Sequence, residues 1–265
     1  MSVIGGSQST FLQATCEVAA LAAAIAARHF RDVGIARDAR SKSDGSPVTR
    51  ADIEAEHAAR EWIERRFPGD GIVGEELGTV RPDARRRWIV DPIDGTKSFV
   101  CGVPLYGTLI AVAEGDEILA GAAHFPSIGE VVCAARGEGC FWNGARASVS
   151  DVDRVEEATV LTTDERFLQD ARQLAGWRTL SERARLSRSW GDCFGYLLVA
   201  TGRAELMVDG VLAAWDAAAI LPIVEEAGGV FTDWTGARTA FGGSAIATNR
   251  GLAQTSRALL GCRAA

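Results

Sequence analysis

The chain has 265 residues, 47% of them hydrophobic and 24% charged, with 28 basic and 35 acidic side chains and a formal net charge of −7. That length supports one large domain or two lobes around a substantial core. The acidic balance argues against a nucleic-acid partner, which asks for a basic footprint, and means that an anionic substrate would need bound cations beside it.

Phe11, Ala14, Thr15, Val18, Leu21, Ala22, Ile25 and His29 recur at helical spacing and predict a first amphipathic helix, capped by Ser9 or Thr10. Its apolar run from Val18 to Ala27 is too short to span a bilayer, and no basic segment precedes it, so neither a membrane anchor nor a signal peptide is expected. His29 reads as a dipole-compensating or surface residue. A polar turn from Lys42 to Asp52 leads into a second helix with Ala51, Ala55, Ala58 and Trp62 as its buried face. Thr49 and Asp52 fit a capping box there, and His57 reads as a satisfied helix histidine.

Gly71 to Gly74 is a short apolar strand ending in two carboxylates, Glu75 and Glu76. Trp88 to Val90 is a second buried strand whose apolar run ends at Asp91, and Pro92 fixes its own φ and pushes Asp91 out of the helical region. Asp94 follows three residues on, and Gly95-Thr96 opens a short helix. Acids from two strand ends can meet on one edge of a sheet. Carboxylates take hard cations, and N–H groups at a helix start take phosphate oxygens, so the stretch reads as a metal-assisted phosphate site.

Strands at 108–112 and 118–124 flank a Glu-Gly-Asp-Glu hairpin turn, 129–135 continues the sheet, and 137–144 is turn-rich. The second half alternates: a strand at 159–162, a helix at 165–174, a helix at 192–201 capped by Asp192 and a strand at 204–208. A helix from Trp215 carries Asp216 in its first turn and Pro222 inside it, and strands at 230–232 and 245–248 precede a last helix. No Cys-x-x-Cys pair occurs among Cys16, Cys101, Cys133, Cys140, Cys193 and Cys262, which suits reduced thiols in a cytoplasmic protein.

Three other phosphate chemistries fail on the residues. Asp151-Val-Asp-Arg-Val155 mimics an aspartyl-nucleophile motif but follows a polar segment instead of a buried strand. Cys140 and Arg146 have the Cys-x5-Arg spacing without a preceding His or a glycine-wrapped loop. Lys97 lacks the glycines that a Walker loop places before its lysine, with Asp91 and Thr96 at those positions.

Gly74-Glu-Glu76, Asp91-Pro-Ile-Asp-Gly-Thr96 and Trp215-Asp216 with Glu226-Ala-Gly-Gly229 stand in an order and spacing that resemble the inositol monophosphatase family over nearly the full length. The resemblance implies an α/β (α+β) fold, a layered αβαβα sandwich with a largely antiparallel N-terminal sheet and a second, smaller sheet. It would form a single catalytic domain over residues 1–265, with lobes of about 1–150 and 151–265, commonly dimeric.

It also implies a Mg²⁺-dependent phosphomonoesterase with two or three ions per site. Glu75, Asp91 and the Ile93 carbonyl would hold one ion, and Asp91, Asp94 and Asp216 the second. Gly95 and Thr96 would donate to the phosphate, and Glu75 and Thr96 would orient the attacking water. Asp52 and Lys42 would surround a weaker third ion. Ser189 to Tyr196 and Asp91 to Pro104 resemble the family's histidinol-phosphate phosphatase branch, with Lys97-Ser98 where inositol-directed relatives usually have Thr-Asn. Histidinol phosphate brings an ammonium and an imidazole, so carboxylates beyond the metal set are expected to face it. Asp192 and Asp209 are the candidates, and Arg188 is a further substrate-contact candidate. The alternatives within the family are an inositol-1-monophosphatase and a 3′(2′),5′-bisphosphate nucleotidase. A non-catalytic metal-binding regulator would have lost a ligand, and all are present.

Overall fold

The structure, a computed structural model, describes residues 9–262 apart from 33, 36–38, 43–44 and 169. Helix α1 (Thr10–His29) leads into a ribbon of β1 (Arg40–Ser41) and β2 (Pro47–Val48), then helix α2 (Arg50–Arg66). Strands β3 (Gly71–Gly74), β4 (Gly78–Val80) and β5 (Arg86–Asp94) precede a short helix α3 (Thr96–Val100). Next come β6 (Gly107–Glu114), β7 (Glu117–Phe125), β8 (Glu130–Ala135), β9 (Gly139–Trp142) and β10 (Ala145–Arg146). The second half runs β11 (Thr159–Thr162), α4 (Ala171–Arg183), β12 (Leu186–Arg188), α5 (Asp192–Ala200) and β13 (Leu206–Asp209). Helix α6 (Ala214–Glu226), strands β14 (Val230–Thr232) and β15 (Ala245–Thr248), and helix α7 (Ala253–Leu259) complete it.

Two sheets carry the fold. The larger has the order β10-β9-β8-β7-β6-β5-β3-β4 and is antiparallel except between β3 and β5. The smaller has the order β12-β11-β13-β15-β14, with parallel pairing of β11 to both neighbours. On one face of the large sheet α1 and α2 pack Leu12, Val18, Ala55 and Ile63 against Trp88, Val90 and Ile110. Between the sheets α5 and α6 pack Tyr196, Leu197, Ile220 and Ile223 against Leu109, Phe125, Leu161 and Met207. The far face of the small sheet is covered by Trp177 and Leu180 of α4 and by Leu252 and Leu260 at the ends of α7. The layers are therefore helix, sheet, helix, sheet, helix, the expected αβαβα sandwich. Because β5 is covered on both faces, Trp88, Ile89 and Val90 are a continuous apolar run with no alternation.

Several local expectations need correcting. Strand β5 does not stop at Asp91: it runs to Asp94, with a register shift against β6 between Asp91 and Asp94. Such a bulge bends the strand and re-aims side chains without ending it. The core face of α2 is Ala51, Ala55, Ala59 and Ile63, and it also buries Asp52, Glu56 and Arg60, whereas His57 is exposed. The helix expected at 165–174 is a 3-10 turn at Glu165–Phe167 followed by α4, whose first turn is capped by Asp170. The turn-rich stretch at 137–144 contains β9. Helix α1, capped by Ser9, is 20 residues long and apolar enough to cross a membrane by length and composition alone. Here it buries Leu12, Val18 and Ala22 against α2 and the large sheet, as a core helix does. Ser43 and Asp44 of the expected polar turn, and Gln169, lie outside the described residues.

Candidate active site

Between the two sheets lies a cavity of about 250 Å³. Its walls come from the end of β3 (Glu75), the end of β5 and start of α3 (Asp91, Ile93, Asp94, Gly95, Thr96, Lys97), and the starts of α5 and α6 (Asp192, Asp216). Asp209, at the end of β13, and Thr163, just past β11, also line it, as do Ser46, Pro47 and the approach to α6 from Val211 to Ala213.

The central turn is held by two local bonds and by one from the neighbouring strand β6. Asp91 Oδ1 accepts the Ile93 N–H at 3.0 Å, Thr96 Oγ1 donates to the Ile93 carbonyl at 2.9 Å, and Thr108 Oγ1 donates to the Pro92 carbonyl at 2.7 Å. Gly95 sits at φ 84°. A Cβ there would lie 2.9 Å from the Leu105 carbonyl oxygen and 3.1 Å from Asp192 Oδ2, so glycine is required for conformation and for space. Thr96 Oγ1 also lies 3.5 Å from Asp52 Oδ1, while Asp52 Oδ2 accepts from the Thr49 N–H and hydroxyl. The expected capping box on α2 is therefore present, and its other oxygen, Oδ1, faces Thr96, while Asp52 itself is buried behind the cavity wall and does not line it.

Carboxylate oxygens of Asp91, Asp94 and Asp216 all lie within 4.8 Å of one another. Burial, then the charges of Glu75, Asp94 and Asp216, push Asp91 well above the usual carboxylate range. Burial, then Asp192 and Asp216, do the same to Asp94. Burial lifts Asp216 to about 6 against the pull of the Ala213 N–H, and lifts Asp52 to about 6 against Thr49. Acids this close cannot all stay ionised without positive charge. An all-oxygen donor set of this kind fits a hard divalent cation such as Mg²⁺. Lys42, at the edge, donates to Glu75 Oε1 at 2.6 Å and Glu76 Oε1 at 2.7 Å.

The second half supplies acids of two kinds. Asp209 is 3% exposed, and its carboxylate accepts the Tyr196 hydroxyl at 2.8 Å and the Thr163 N–H at 3.2 Å. Burial raises it to about 7. Asp192 does not cap α5: the N-cap is Gly191, and Asp192 has φ 50° with no capping bond from its side chain. The carboxylate at that helix start is Asp94, which accepts the Cys193 N–H from across the cavity. Asp192 is thus released to the cavity wall, where burial raises its pKa and Lys97 lowers it. Arg188 does not line the cavity. It is exposed on β12, and its Nη1 donates to the Ser187 carbonyl.

The rejected thiolate loop has no chemistry in the structure. Cys140 is buried in β9, burial raises its pKa, and Arg146 donates to the Glu138 carbonyl.

The inositol monophosphatase family profile matches residues 7–265. The chain belongs to the inositol monophosphatase family. A histidinol-phosphatase from Chlorobaculum parvum is 44% identical over 206 residues, 78% of this chain and 80% of that protein. A histidinol-phosphatase from Mycobacterium tuberculosis is 38% identical over 79% of this chain and 82% of its own length. Among solved structures, an inositol monophosphatase from Zymomonas mobilis superposes with a TM-score of 0.82 at 31% identity, covering 96% of this chain and all of that one. The fold is thus that of the inositol monophosphatases, and the protein is a phosphoric monoester hydrolase of a family that is generally Mg²⁺-dependent.

Sequence reasoning passed over Thr163, which donates its N–H to Asp209 and accepts the Asp192 N–H, and over Glu56 and Arg60 beneath Glu75. The signal for the last two was legible: Asp52, Glu56 and Arg60 step by four along the alanine face of a helix, where charge has no ordinary place.

Proposed function

We propose that this protein hydrolyses L-histidinol phosphate to L-histidinol and phosphate with two or three Mg²⁺ ions, as a cytoplasmic homodimer. The observation that carries the substrate is Asp192. It is a cavity-wall carboxylate outside the Asp91, Asp94 and Asp216 cluster, with no capping duty to its own helix. Similarity to proteins named histidinol-phosphatase supports the same reading.

Glu75, Asp91, Asp94, Asp216 and the Ile93 carbonyl would hold the ions. Bound Mg²⁺ supplies Lewis acidity at the phosphate and the leaving oxygen and makes water a stronger acid. The chain's own residues do the rest. Gly95 and Thr96 present backbone N–H groups to the phosphate. Thr96 Oγ1, between the Ile93 carbonyl and Asp52 Oδ1, would orient the attacking water together with Glu75; with its hydroxyl turned from the Ile93 carbonyl to Asp52, it would give that proton to Asp52 and take one from the water. Lys42 holds Glu75 and Glu76 at the edge of the site, where a weaker third ion would bind. Asp192 takes the substrate ammonium. Asp209 acts through position, because Tyr196 and Thr163 occupy its oxygens.

Asp192→Asn tests the substrate. Loss of a charge-assisted hydrogen bond to the amine should cost about 1.5–3 kcal/mol in transition-state binding, or roughly ten- to a hundredfold in kcat/KM on histidinol phosphate. Hydrolysis of p-nitrophenyl phosphate, which has no ammonium, should be largely spared. Equal loss on both substrates would make Asp192 structural, and faster wild-type turnover of inositol phosphate or a 3′-phosphoadenosine nucleotide would overturn the histidinol reading.

A further inference from the structure

The turn that carries Glu75 and Glu76 is held from behind by a buried ion pair on α2. Glu56 is 0% exposed. Its Oε2 accepts the Glu76 N–H at 2.7 Å and its Oε1 the Leu77 N–H at 3.2 Å. Arg60, one helical turn on, donates from Nε to Glu56 Oε1 at 2.7 Å and from Nη2 to the Gly78 carbonyl. The Glu75 N–H donates to the Val90 carbonyl at 3.1 Å. Three successive N–H groups are therefore fixed, two of them by one side chain. Glu56 runs directly beneath the strand: a Cβ on Gly74 would stand 1.9 Å from its Oε1 and 2.6 Å from Arg60 Nη2.

A buried ion pair is a poor stabiliser compared with well-packed apolar residues, yet this one interrupts the core face of α2. What it supplies, and a leucine could not, is a pair of acceptors for the N–H groups of one turn. That turn decides where the Glu75 side chain leaves the backbone.

We infer that Glu56, locked by Arg60, is a positioning residue that aims Glu75 at Asp91 and so sets the affinity of the site for its cation. The inference rests on the metal role of Glu75 proposed above. Glu56 itself does not line the cavity.

Calorimetric titration of Mg²⁺ into the phosphate-free enzyme tests it. Glu56→Gln keeps the volume but sets an amide NH₂ among N–H donors. It should weaken Mg²⁺ binding by about tenfold or more, as loss of a ligand-orienting partner does. At saturating Mg²⁺, kcat should fall by a smaller factor. Arg60→Lys keeps the buried charge but cannot bridge Glu56 and Gly78 together. It should shift Mg²⁺ affinity the same way by less, and it carries the test if Glu56→Gln does not fold.

The pair of variants Glu75→Gln and Glu56→Gln/Glu75→Gln separates positioning from general loosening. If Glu56 acts through Glu75, the double variant binds Mg²⁺ no more weakly than Glu75→Gln alone. Additive weakening overturns the inference, as does a Mg²⁺ affinity within about twofold of wild type in a folded Glu56→Gln or Arg60→Lys protein. If Glu75→Gln binds Mg²⁺ normally, the metal role of Glu75 fails and takes the inference with it. Affinity lost in Glu75→Gln but kept in Glu56→Gln sinks the inference alone.

Discussion

The two halves of the molecule bring carboxylates to the same cavity by different means. Glu75, Asp91 and Asp94 stand at the ends of β3 and β5, parallel neighbours in the large sheet, so backbone pairing already brings them together. Their turns are tied down within a few residues, or from directly beneath by Glu56. Asp192 and Asp216 stand in the first turns of α5 and α6, where the helix dipole favours negative charge. Asp216 accepts its own Ala213 N–H at 2.9 Å, while Asp192 makes no capping bond. The halves meet where Asp94 accepts the Cys193 N–H at the start of α5. The strand-end acids are a rigid set suited to a fixed cation geometry. Asp216 joins that set from a helix start, whereas Asp192 stands outside the cluster on the cavity wall, which makes it the natural place for a change in substrate choice.

The comparison breaks most severely at Asp94, which belongs to both halves. Asp94→Asn keeps an oxygen for the Cys193 N–H, so the fold should survive, but it removes charge from the cation site. Activity with Mg²⁺ should fall by several orders of magnitude, and retention of more than about a tenth of the wild-type rate would contradict the two-metal assignment.

A smaller effect is proton uptake, which the acids of both halves share. Burial raises Asp52 and Asp216 to about 6 and Asp209 to about 7, and Asp91 and Asp94 are raised as well. A raised carboxylate means that the folded, metal-free protein binds more protons than the unfolded chain between the ordinary carboxylate range and about pH 7. Stability from these groups is thus present at low pH and lost as pH rises through their folded pKa values. His124, lowered by burial, runs the opposite way. In EDTA the Tm should fall from pH 5 to pH 8, and Mg²⁺ should raise it most at pH 8. The slope should flatten in Asp94→Asn and, by less, in Asp192→Asn, because Asp192 is itself raised by burial and its charge helps to raise Asp94. A metal-free Tm that climbs steadily over that range would refute the account.

The smallest expected effect is at Cys140. Cys140→Ser should leave turnover essentially unchanged, because the thiol is buried away from the cavity and forms no intermediate. Trapping a phosphocysteine, or losing activity in a folded variant, would count against metal-assisted hydrolysis as a whole.

Much of this was written locally in the chain. Apolar runs marked β11, β14 and β15 to the residue, because a short strand between turns needs only its own side chains to declare it. Thr49 and Asp52 declared the start of α2 for the same reason: a capping box is closed within four residues. Asp91, Asp94, Gly95 and Thr96 were legible because a strand end, a bulge and a helix start fall within six positions. The bulge itself was not, since it exists only in the register of β5 against β6.

Tertiary structure alone decided which acids are free. From sequence, Asp192 was both a helix cap and, with Asp209, a candidate substrate contact. In the fold, Asp94 takes the N–H at the start of α5 from 99 residues away, and Tyr196 and Thr163 occupy Asp209. The sequence determined most of the elements, the acidic turn from Asp91 to Thr96 and the family, because those depend on neighbours a few residues apart. The partners of Asp192, Asp209 and Glu75, and with them the proposed division between cation site and substrate wall, were decided by packing two sheets around α5 and α6, since a carboxylate's role depends on which donors reach it through space.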